Sequence, residues 1–144
     1  MNKTRWLAVV LVAVALVALA PRDGAAADYS IIWKQDLGSR ADNPNTDSSC
    51  SNVKGDLYVG SLPVKTVTFP TPFKIGEERT MIISYPDCSY IRLIATCTYR
   101  RSADASQVTE TSHTDIQCQG GRAWIVPVSN NPFAIHFEPG PVIN

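Results

Sequence analysis

Charge of one sign is missing from this 144-residue chain: 13 basic and 13 acidic side chains give a formal net charge of zero. Without a basic excess the fold as a whole has little to neutralise phosphates, which argues against nucleic acid as a partner. Beyond the segment Leu7 to Ala20 there is no apolar run near the roughly 20 residues needed to cross hydrocarbon. No pair of cysteines has the C-x-x-C spacing of a structural zinc site. Histidine is scarce, with only His113 and His136. His113 and Asp115 would share a face of a strand, but a third ligand is not evident, so no metal is expected there. Gly38-Ser39-Arg40 and Gly60-Ser61-Leu62 do not fit a nucleophile elbow, and Gly120-Gly121 stands alone where a phosphate loop needs more glycines. Glu77 and Glu78 are neighbours that point apart, while Asp104 and Glu110 fall in a polar hairpin, so no acid pair faces across a cleft. The expectation is a chain with no catalytic residue and no cofactor.

What is present begins with a leader. Lys3 and Arg5 precede the block Leu7 to Ala20, built only of leucine, alanine and valine, and Ala25-Ala26-Ala27 follows. That order reads as a secretory signal peptide over residues 1–27, cut after Ala27. A block of 14 residues is short for an uncleaved anchor. The remaining chain, 28–144, is expected to be one domain, extracellular and free of the membrane, with a charge of about −2. Asn2-Lys3-Thr4 lies inside the leader, so no N-glycan is expected.

The domain is rich in short β-type runs separated by turn residues, and no window shows helical periodicity. Strands are expected at Tyr29 to Trp33, Asp56 to Val59, Val64 to Phe69, Thr80 to Tyr85, Tyr90 to Tyr99, Gln107 to Cys118, Arg122 to Val128 and Phe133 to Phe137. Residues 38–49 read as a loop ending at Cys50, and Gly120-Gly121 as a turn. Ile91, Leu93, Ala95, Cys97 and Tyr99 share one strand face; Gln107 to Cys118, polar and threonine-rich, suits an edge. The expected fold is all-β, a two-layer antiparallel sandwich of seven or eight short strands.

Four cysteines in a small exported domain imply two disulfides. If Tyr90 to Arg101 and Gln107 to Cys118 form a hairpin turning near position 103, facing residues have indices summing to 206. Cys88 then faces Cys118, which leaves Cys97 for Cys50; a bulge or a one-residue slip would overturn this pairing.

Arg92, Arg100 and Arg101, with Tyr90 and Tyr99 nearby, are the candidate partner-binding residues, a surface suited to an anionic partner. The competing reading is a charged sheet face that keeps an edge from aggregating. Open strand edges permit self-association without demanding it.

The order Leu37-Gly38-Ser39-Arg40, Gly55-Asp56-Leu57, Tyr90-Ile91-Arg92-Leu93-Ile94, Gly120-Gly121, Trp124-Ile125-Val126-Pro127-Val128 and Phe133-Ala134-Ile135-His136-Phe137 resembles the multiprotein bridging factor two family of small secreted insect proteins. The segment from Ala41 to Asn52, the four cysteines and the absence of a tyrosine-glycine ending depart from that pattern. The resemblance implies no catalytic residue. Its name implies a transcriptional coactivator, which the leader opposes. The reading is therefore a secreted binding protein of body fluid, saliva or venom, acting on an unknown extracellular protein or small molecule. A small secreted hydrolase or metal enzyme using His113, Asp115 or His136 is the alternative from another class.

Overall fold

The computed structural model describes residues 26–37, 48–100, 106–128 and 133–140. Its strands are β1 (Ala27–Gln35), β2 (Ser49–Val59), β3 (Leu62–Thr68), β4 (Phe73–Lys74), β5 (Glu78–Tyr85), β6 (Tyr90–Arg100), β7 (Gln107–Ile116), β8 (Gly121–Pro127) and β9 (Phe133–Pro139). No helix occurs among the described residues. One sheet runs β5-β1-β8-β9; the other runs β3-β2-β6-β7, with β4 paired to the start of β2. Between them lies a single core that includes Ile31, Trp33, Val53, Leu57, Phe73, Met81, Ile83, Ile91, Leu93, Ile125 and Phe133. These residues face inward by the two-residue alternation of a strand, and their burial is the main stabilisation of the sandwich.

Three features differ from the expectation. β1 runs parallel to β8, with Ile31 opposite Gly121 and Gln35 opposite Ile125, so the four-stranded sheet is mixed and not wholly antiparallel. β2 begins at Ser49, seven residues before Asp56. Its alternation is broken by a bulge at Ser51, between the Cys50–Cys97 and Asn52–Thr96 pairs. The extra residue turns Cys50 onto the same inner face as Val53 and Leu57, where sequence parity alone would turn it outward. Third, Gly120-Gly121 is not there to adopt a glycine-only turn, since neither has a positive φ. A Cβ on Gly120 would meet the Ser30 carbonyl oxygen at 2.8 Å, and one on Gly121 would meet the Glu138 carbonyl oxygen at 2.3 Å. The glycines let β8 pass close to its two neighbours.

The disulfides join Cys50 to Cys97 and Cys88 to Cys118. These are the pairings the hairpin arithmetic favoured, although the register is one residue away from it. Observed partners such as Arg92–Asp115 and Ile91–Ile116 sum to 207, and Cys97 faces Glu110. Cys50 and Cys97 are direct cross-strand neighbours, while Cys88–Cys118 clamps the open end of the β6–β7 hairpin. Two disulfides are compatible with an oxidising compartment.

Polar groups in the interior are largely satisfied. Gln35 is fully buried, and its Nε2 donates to the carbonyl and the hydroxyl of Ser48, both at 3.2 Å. Its Oε1 accepts from the Leu37 N–H at 2.8 Å. This residue ties the end of β1 to the approach to β2. At the same end of β1, where the Gln35 N–H donates to the Glu77 carbonyl, Arg79 donates to the carbonyls of Pro70 and Pro72 and lies against Phe69 and Phe73. The residues before the expected cut at Ala27, the hairpin tip 101–105 and the turn at 129–132 lie outside the described residues, except that Ala26 is described. β1 itself opens with Ala27, exposed and opposite Tyr85.

Candidate binding face

The outer face of the β3-β2-β6-β7 sheet is formed by the residues that alternate with the core set. Register places Thr66, Asp56, Arg92 and Asp115 in one row across all four strands. Each contact in the row is polar. Thr66 Oγ1 donates to Asp56 Oδ1 at 2.7 Å, and Lys54 Nζ lies 3.4 Å from Asp56 Oδ2. Arg92 Nε and Nη2 donate to Asp115 Oδ1 and Oδ2 at 2.7 and 3.0 Å, the two-pronged geometry that fixes both side chains. Tyr58 and Tyr90 are opposite one another in the next row. Their rings stack with centroids 4.5 Å apart and planes 8° from parallel. The Arg92 guanidinium carbon lies 5.4 Å from the Tyr58 ring centre and 5.9 Å from that of Tyr90.

The hydrogen bond with Asp115 raises the Arg92 pKa further above its already high value. The same bond lowers that of Asp115 below the ordinary carboxylate value, with added attraction from Arg92 and from His113 on the same face. Both charges therefore persist across the physiological range and cancel locally. Around them the cluster is braced. Ser89 N–H donates to the Tyr58 carbonyl at 2.7 Å, and Ser89 Oγ accepts from the Gly60 N–H at 2.7 Å. Gly60, with φ of 62°, opens the two-residue turn between β2 and β3. The Cys88–Cys118 bridge closes the same end.

Of the five candidate residues, the structure brings Tyr90 and Arg92 together and sets Tyr99 and Arg100 apart from them. Arg100 shares their face but stands eight residues along the strand, about 26 Å at 3.3 Å per residue. Tyr99 belongs to the inner parity: its ring packs edge-on against Phe133, and its hydroxyl donates to Glu110. Arg101 lies outside the described residues. An arginine cluster for an anionic partner is therefore not what Arg92, Arg100 and Tyr99 form, and the charge of Arg92 is answered by Asp115. Tyr58 was missed because nothing in the sequence sets the β2–β6 register. The alternation around buried Leu57 does mark Asp56 and Tyr58 as outward.

The histidines fall on different sheets. His113 is exposed on β7 opposite Ile94, whereas His136 sits on the outer face of β9 with its ring 5.7 Å from that of Trp124. Among the described residues no three of histidine, cysteine, aspartate and glutamate are grouped as metal ligands, and no cysteine is free.

No family model, curated protein or solved structure matches the chain. The resemblance to the bridging factor family thus stands on the quoted segments alone. What the face offers chemically is a rigid, locally neutral patch with two tyrosine rings, a guanidinium and paired hydrogen-bonding groups.

Proposed function

We propose that the chain is an exported, disulfide-stapled protein that works by binding and not by catalysis, with the Tyr58–Tyr90–Arg92 cluster as its contact surface. The observation that carries this reading is the pre-organisation of that cluster: two stacked rings and an arginine held by Asp115, on an open sheet face. Tyrosine and arginine are enriched among the residues that carry binding energy in protein interfaces, tyrosine for large area with few rotors and arginine for its directional donors. Side chains already fixed in the free protein lose little further entropy on binding. Local neutrality favours a polar, uncharged or mixed-charge partner surface over a polyanion. Export is supported by the leader over residues 1–27 and by the two disulfides, which persist in oxidising compartments.

Two measurements test this. Protein recovered from the medium of expressing cells is weighed intact, before and after reduction. The reading expects a chain starting at Asp28 that gains the mass of four hydrogens on reduction, because two disulfides open. Full-length protein retained in cells with free thiols would remove the export half of the proposal. The surface is then tested by comparing wild type with Tyr58→Ser and Tyr90→Ser for retention of partners from the extracellular fluid of the source. Equal retention by folded variants would move the contact elsewhere.

A further inference from the structure

Each sheet of a sandwich ends in two strands whose outer peptide groups are unpaired, and natural proteins blunt such edges to stop them from templating another chain. Three of the four edges here carry a device. β3 contains Pro63 and Lys65 and is bulged opposite Leu57 and Tyr58. β5 is approached by the segment around Pro70 and Pro72, held to it through Arg79. β9 is seven residues long and ends in Pro139. The fourth edge, β7, has no such break: its acidic side chains, Glu110 on the inner face and Asp115 on the outer, are answered within the chain by Tyr99 and Arg92. It runs ten residues from Gln107 to Ile116 without proline, glycine, lysine, arginine or a bulge, and no described strand hydrogen-bonds to its free side.

We propose that two copies of this chain pair antiparallel through β7, joining their β3-β2-β6-β7 sheets into one continuous sheet about a two-fold axis at Thr111. The residue chemistry of β7 is self-complementary in that register. Directly opposite residues in an antiparallel pair share a face, so a two-fold axis at Thr111 sets Thr111 against its own copy. It also sets Thr109 against His113, Gln107 against Asp115 and Glu110 against Ser112. Each of these pairs can hydrogen-bond, Val108 faces the methyl of Thr114, and no like charges stand directly opposite, the condition under which cross-strand pairs stabilise a sheet. Threonine already pairs this way within the chain: Thr96 with Thr111 and Thr98 with Thr109, both at 2.8 Å between hydroxyl oxygens. A second copy extends that array. The pairing does not depend on the binding role proposed above. If both hold, two Tyr58–Tyr90–Arg92 clusters lie on one shared face and the dimer is bivalent.

Sedimentation velocity across concentrations up to about 0.5 mM tests this on the oxidised chain. Wild type is compared with Thr111→Lys, which sets two ammonium groups against each other at the axis, and with Thr68→Lys, which adds the same charge on β3. Both positions are exposed, so folding is preserved. The proposal expects a wild-type dimer, at least tenfold weaker in Thr111→Lys and unchanged in Thr68→Lys. A wild type that stays monomeric throughout overturns it. So does a dimer that survives Thr111→Lys, which places the interface elsewhere, or one that both lysines weaken equally, which reports net charge and not an edge.

Discussion

Replacing Gly121 with alanine tests the close packing of β8 more sharply than any loss of side chain. The new Cβ would stand 2.3 Å from the Glu138 carbonyl oxygen and 2.7 Å from the Phe137 ring. Ordinary contact needs more than 3 Å, so β9 must retreat by close to an ångström, and the obstacle is backbone that cannot rotate away. Overpacking of this kind costs about 1–3 kcal/mol. Displacing the end of the β8–β9 ladder adds one or two hydrogen bonds at about 1 kcal/mol each. The sum, about 2–5 kcal/mol, is a large share of the 5–15 kcal/mol typical of a domain. It should lower Tm by about 10–20 °C in a chain of this size. Gly55→Ala provides the comparison. Its Cβ would meet Ile83 Cδ1 at 2.6 Å and Met81 Sδ at 2.9 Å, both ends of flexible side chains, so about 1–2 kcal/mol is expected. Gly60→Ala meets nothing within 4 Å and suffers only from its φ of 62°, costing about 1 kcal/mol. Urea unfolding of the three variants gives the order directly. A Gly121→Ala protein within 1 kcal/mol of wild type, or less affected than Gly55→Ala, would refute the reasoning from close approach.

Other consequences follow from the same contacts. Opening either disulfide by a double Cys→Ala change removes a cross-link over 47 or 30 residues, for which chain entropy gives a loss of about 4 kcal/mol in each case; calorimetry on both variants checks that near-equality. Gln35→Leu leaves the Leu37 N–H and both Ser48 oxygens without their buried partner and should cost about 2–4 kcal/mol in denaturant unfolding; a neutral result would mean these groups find water. The Asp115 carboxyl, followed by NMR against pH, should titrate below the ordinary aspartate range and return upward in Arg92→Gln. Because its folded pKa is depressed, the stability this carboxylate contributes is present above the unfolded value near 4 and fades as pH falls through the folded value. An unchanged titration in the variant would show that Arg92 is not the cause.

The fold class was legible because inward and outward residues alternate so regularly. Ile91, Leu93, Ala95 and Cys97 announce a core face, and Thr109, His113 and Asp115 announce an exposed one. Disulfide pairing was also within reach, since a rough hairpin register is enough to tell which cysteines can meet. The binding face was only half legible. Arginine and tyrosine at 92 and 90 mark an unusual stretch, but grouping Arg92 with Arg100 treated a shared face as proximity.

By itself, then, the sequence determined the all-β character, the two-disulfide framework and the facing of most strand residues, because these depend on local alternation and on chemistry that reads along the chain. Tertiary structure decided what lies beside what. A one-residue shift of the β6–β7 register, from 206 to 207, is what sets Asp115 opposite Arg92. The Ser51 bulge lets buried Cys50 meet Cys97 while Tyr58 still meets Tyr90. Insertion of β8 between β1 and β9 explains the glycines as places of close approach, Gly120 to β1 and Gly121 to β9. Register, bulges and strand order are settled by packing between segments far apart in the chain, where alternation carries no signal.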